Sequence, residues 1–316
     1  NVSAWSVDDI LAQTTAAGGG AVAISGADSE TDSDQATLAR IGDGVTVDAI
    51  TVAVVTDHFQ TQDATADAYS IALGAGTGAS VDNLNTSKAN IEIDGAEINA
   101  NFIIIDASNN LTKRLASGGD NLQSGSVGGI TVADLQSDSQ FGSTSNKFQA
   151  KVDIINGASL TALGDNSTPA ILQIAAVTDV DAVDNVMVES FGAFGFAEAK
   201  SLIDVKSDAR VNIDDATLIN QAGKVAIYSQ AFSFLATEAN VIVAAAISGV
   251  ANAVSSNTLV ADQTVTVNDS LVKGAVVSLQ SGLSFDPATS NIFFGFSDAY
   301  VNTYSLGPSV GTPSAA

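Results

Sequence analysis

From residue 36 onward the chain reads as strand and turn, over and over. Apolar positions alternate over short runs, and Gly, Asn, Asp or Ser breaks each run. Val45-Thr46-Val47-Asp48 is one such run and Thr51-Val52-Ala53-Val54-Val55-Thr56 is another. Proline, which removes a ladder donor, is nearly absent from the body: Pro169 and Pro287 fall between strands, and Pro308 and Pro313 lie near the end. Before residue 36 the pattern changes. Ser6 with Asp9 three residues on reads as a short capping box, and Gly18 to Gly20 stop any helix. A single short helix is therefore expected at about 7–16. The acidic stretch Asp28 to Asp34 reads as a loop whose like charges hold it in water.

The strand–turn pattern repeats. Segments starting at Ala39, Ile91, Val152, Val211 and Val265 each read apolar–polar–apolar, then a corner of Asp, Asn or Gly, then a second short strand. A third strand follows each, at Thr51–Thr56, Phe102–Ile105, Ile171–Ala175, Val225–Tyr228 and Ala275–Leu279. Asp, Asn and Gly tolerate the left-handed backbone that a sharp corner demands. A strand–corner–strand unit cannot bury its apolar face alone, but stacking on the next unit buries a continuous narrow core. The expected fold is all-β, a right-handed parallel β-helix (β-solenoid) with the short N-terminal helix. At about 20 residues per coil, each repeat would hold about three coils, so some 15 coils would make a rod of roughly 70 Å. The alternative is a row of tandem β-sandwich domains, which predicts clearer linkers than the chain shows. The organisation expected is a cap or docking segment over 1–35, solenoid repeats over 36–300 and a tail or linker over 301–316. Two stretches fit least well. Residues 231–254 are Ala-rich and near helical spacing, although Val241-Ile242-Val243 argues for strand. In 188–199 the phenylalanines Phe191, Phe194 and Phe196 read as an aromatic row, of the kind that forms an internal packing ladder.

Composition narrows the role more than it defines it. Eleven Lys and Arg against 35 Asp and Glu give a net charge of −24, which argues against a phosphate backbone or an anionic membrane surface as partner. No run of 18 apolar residues is present, so no membrane insertion by a helix is expected. There is no Cys, hence no disulfide framework and no thiolate metal site. The first residue is Asn, which suggests a processed product or an excised piece.

Candidate chemistry is thin. His58, the single histidine, follows Asp57, but neighbours in a strand point to opposite faces and would not meet, so His58 reads as a polar surface residue. Asp179, Asp181 and Asp184 could offer oxygens to calcium, yet no Gly or distal Glu sits at loop spacing, and an Asp-rich turn is the favoured reading. Gly74-Ala75-Gly76-Thr77-Gly78 lacks the Lys of a phosphate loop and reads as a flexible corner. No nucleophile triad can be assembled. Two carboxylates would suffice for a glycosidase, but one Trp and four Tyr make a poor sugar-stacking cleft. No catalytic, cofactor-binding or metal residue is assigned, and the chain is read as a non-enzyme.

The strand–Asp/Gly–strand units, clearest at 39–56, 89–108 and 209–230, resemble the repeats of very large bacterial surface adhesins of the filamentous-haemagglutinin and leukotoxin-like type. Ile41-Gly42-Asp43-Gly44 and Val211-Asn212-Ile213-Asp214-Asp215-Ala216 carry the resemblance. It implies a secreted, extracellular or cell-surface β-helical fibre. The expected role is structural, with head-to-tail stacking on itself or on neighbouring repeats. The competing role is a surface module that recognises glycans or a partner cell.

Overall fold

The computed structural model describes residues 1–114, 122–164, 170–282 and 293–316. Among the described residues every regular element is a β-strand, and every ladder between strands is parallel. Among the described residues fifteen strands share one sheet and fall into six levels. The first level holds β1 (Val2–Ser33) and β2 (Ala36–Ile41); the second holds β3 (Thr46–Asn85) and β4 (Lys88–Asp94). The third holds β5 (Glu97–Lys113), β6 (Leu122–Phe141) and β7 (Phe148–Ile155); the fourth holds β8 (Ser159–Ala162) and β9 (Ile171–Asp214). The fifth holds β10 (Thr217–Asn220) and β11 (Lys224–Asn268). The sixth holds β12 (Leu271–Lys273), β13 (Val276–Ser281), β14 (Phe293–Ser305) and β15 (Ser309–Ala315). Tandem sandwich domains require antiparallel ladders, and the described residues contain none.

The repeat starts stack in one column. Ala39 lies opposite Ile91, Ile91 opposite Val152, Val152 opposite Val211 and Val211 opposite Val265. The third strands form a second column through Thr51, Phe102, Ile171, Lys224 and Val276. One repeat is thus one level, not three coils. The expected coil of about 20 residues fails because the chain crosses each level in two long runs instead of three short ones. Six levels at about 4.8 Å give a height of roughly 25–30 Å instead of 70 Å, whereas a run of some 27 residues spans about 90 Å. The chain builds a broad thin blade.

The corners behave as their residues demand. Gly44, Gly95, Asn156, Gly157, Asp215 and Asp269 all have positive φ, between 44° and 81°. Ladder bonds continue past them, with Ser159 N–H donating to Ala96 O, Thr217 to Ala158 O and Leu271 to Ala216 O. At the opposite edge the inward parity switches. In the second level Ala72 and Ala75 are both buried while Leu73 between them is exposed; this turns the chain back over itself. The returning run faces the outgoing one across a thin core, where Gln62 Nε2 donates to Leu84 O at 3.2 Å and Ser255 Oγ to Thr237 O at 2.9 Å.

Several expectations need correction. Residues 7–16 form no helix: they lie in β1, paired from Val2 with Val54 to Ser33 with Asn85. A capping box gives an isolated ten-residue helix little stability, and the long parallel ladder outweighs it. The acidic stretch is strand through Ser33, with Ser29, Thr31 and Ser33 buried and Asp28, Glu30 and Asp32 outward. Residues 231–254 lie in β11, and Phe191, Phe194 and Phe196 in β9 face outward, so they make no internal ladder. Residues 301–316 are no tail: β14 and β15 pair with β11, Pro313 opposite Ala253. Pro169 and Pro287 lie outside the described residues.

Candidate functional site

The outer face carries one unusual carboxylate group. Asp106 sits on β5 opposite Val55 of β3; Ala175 covers it in the next level, and Tyr228 covers Ala175. Burial pushes the Asp106 carboxyl up to about 6, and the nearby Asp57 carboxylate adds to the rise. Its Oδ1 has no hydrogen-bond partner. Asp57 is itself raised by burial, against the opposing pull of a hydrogen bond from Asn110 and of His58. Burial and the Asp106 charge also raise Tyr228, whose hydroxyl accepts from Gln173 Nε2 at 2.8 Å. Beside it lies a hollow of about 260 Å³ lined by Gln173, Tyr228, Gln230 and Gln280. The hollow offers the Tyr228 phenol and amide groups, suited to hydrogen-bonding a polar ligand.

The interior contains a polar seam that sequence reasoning missed. His58 is wholly buried instead of on the surface, because it shares its parity with Val52, Val54 and Thr56, which all face inward. Its Nδ1 lies 3.3 Å from Thr37 Oγ1, and its Nε2 lies 3.4 Å from Gln60 Oε1 and 3.9 Å from Asp8 Oδ2 of the level below. Asp57 and His58 do point apart, as strand geometry requires. Further along, Gln62 donates to Thr31 Oγ1 at 2.6 Å and Asn85 donates to Gln62 Oε1 at 3.3 Å. In the third and fourth levels the seam holds a buried ion pair between Lys113 and Asp184. In the fifth and sixth it thins to Thr237, Ser255 and Ser297. The signal for Lys113 was present: it continues the inward parity of Ile103, Ile105, Ala107, Asn109 and Leu111.

The candidate calcium run does not converge. Asp179 and Asp181 are exposed on the outer face, whereas Asp184 turns inward. Burial and the Asp181 charge raise Asp179. The glycine run lies within β3 and starts at the fold-back around Leu73: Gly74, Gly76 and Gly78 take outward positions. Their missing side chains leave a groove of about 550 Å³ walled by Val22 and Ile24 below and by Ile130 and Val132 above.

Comparison of the chain with family models, with curated proteins and with solved structures finds no match.

Proposed function

We propose that the chain is a β-solenoid, right-handed by the usual preference of parallel crossovers, serving as a structural segment or subunit of an extracellular filament or adhesin. The observation that supports this most is the column through Ala39, Ile91, Val152, Val211 and Val265, in which each level templates the next. A stack of parallel levels offers its end edges to further strands, and head-to-tail addition of like to like gives an open fibre. The role is mechanical: strands paired above and below resist separation, and a charge of −24 keeps such fibres dispersed. No catalysis, cofactor or metal is assigned. The adhesin-like setting at a bacterial surface rests on the resemblance of the corner motifs. A second reading, a module that binds glycans, is favoured by the polar hollow around Gln173 and Tyr228. Electron microscopy of the purified chain tests the first: filaments with an axial spacing near 4.8 Å support it. Isolated particles that bind a glycan array would replace it with the second.

A further inference from the structure

We propose that Lys113 and Asp184 are the precursor of an intramolecular isopeptide cross-link that ties the third level to the fourth. The Lys113 ammonium lies 2.8 Å from Asp184 Oδ1 and 3.2 Å from the Val183 carbonyl oxygen. Both side chains are wholly buried. Ser137 Oγ donates to Asp184 Oδ1 at 2.9 Å, and Ser201 Oγ donates to Oδ2 at 2.7 Å. The carboxyl is therefore held through both oxygens while the amine is pressed against it. Lys113 lies opposite Ala182 in the ladder, and Leu111 and Ala182 precede the two residues at the same inward parity. Burying two charges is costly even when they are paired, and condensation removes both at once.

The step balances without any co-reactant. A proton passes from Nζ to Oδ1 along the existing hydrogen bond, leaving a neutral amine and a carboxylic acid. The amine lone pair attacks Cγ; the C–N bond forms, and the carbonyl π pair moves onto Oδ2. There the Ser201 hydroxyl is already placed to stabilise the oxyanion. Nitrogen then gives a proton to the Oδ1 hydroxyl, which leaves as water when the C–O bond breaks, and an amide N–H remains. Nothing is oxidised or reduced. Two groups fixed in contact inside a packed core react at a very high effective concentration. The cross-link does not depend on filament assembly.

Mass spectrometry of the intact folded chain tests this, with the expected mass lower by one water. Trypsin should then fail to cut after Lys113, because an acylated lysine is not a substrate, and one branched peptide should contain both 113 and 184. Lys113→Arg and Asp184→Ala should each restore the full mass. The branched peptide is decisive, since the Asp43-Gly44 and Asp94-Gly95 pairs can also lose water by cyclising. Cleavage after Lys113 with separate peptides from the folded wild-type chain would overturn the proposal, whether or not the variants fold.

Discussion

The two ends of each level are built from different side chains. Near the corners the core is made of Ile91, Ile93, Ile98, Ile103, Ile105, Leu160 and Leu172. Toward the far edge it is made of Ala64, Ala66, Ala68, Ala133, Ala199, Ala239 and Ala253, with a few valines. At the corner end a short strand such as β8 or β10 links the ends of the two runs, and branched side chains fill the space between them. In the blade only two runs face each other. Small side chains let them approach until hydroxyls reach across, as when Thr131 Oγ1 meets Ser190 Oγ at 2.6 Å and Ser70 Oγ meets Ala23 O at 3.1 Å. The inward volume sets the spacing of the walls, and the polar seam lies where the wide part narrows to the thin one.

That contrast predicts opposite sensitivities. Truncation should hurt the corner end most. Ile105→Ala, at a wholly buried position, is expected to cost about 2–5 kcal/mol in denaturant unfolding. A loss under about 1 kcal/mol would mean that the corner is loosely packed. On the outer side of the same region Asp106 works against the fold. Its folded pKa, about 6, lies above the unfolded value, so the folded chain binds its proton more tightly. Its contribution is therefore fully present below pH 4 and is lost as pH rises through 6. Asp106→Asn should stabilise the chain at pH 7 by up to about 3 kcal/mol and flatten the fall in Tm between pH 4 and 6. An unchanged pH profile would contradict this.

In the blade enlargement is the damaging change. Ala199→Leu, buried between facing runs, should cost about 1–3 kcal/mol by forcing the walls apart. If thermal melts showed it neutral, the thin-core picture would fail. The smallest effect is expected on the outer face. Phe196→Ser removes a large ring, but the ring is 43% exposed, so stability should move within about 0.5 kcal/mol.

The same contrast explains what the sequence made legible. At the corner end the inward Ile and Val alternate with outward polar residues, and Asp, Asn or Gly marks each left-handed turn, so all five repeat starts could be aligned. In the blade the two faces are hard to tell apart. Ala197 and Ala199 point inward while Phe194 and Phe196 point outward, so the more apolar side chains face solvent and alternation carries no direction. Along β1, Ser6 and Asp8 face inward while Trp5 and Val7 face outward, which hid a strand behind a helix-like start. The buried pairs were obscured for a related reason. Gln62 and Lys113 are polar residues at inward parity, and what satisfies them comes from distant residues: Thr31 one level below, and Asp184 one level above. The longer spacing per level also follows, because no local signal marks a run of some 27 residues that turns only where glycines and small residues relax the parity.

The central claim is that each repeat is a single level of a parallel stack. Arg40, Glu92, Asp153, Asn212 and Thr266 occupy one column, four steps from end to end. Because the chain has no cysteine, Arg40→Cys and Thr266→Cys can carry the only two spin labels. A dipolar electron resonance distance of about 20 Å is predicted, four spacings of about 4.8 Å. A distance near 60 Å, as three coils per repeat would give at the same spacing, would contradict the account.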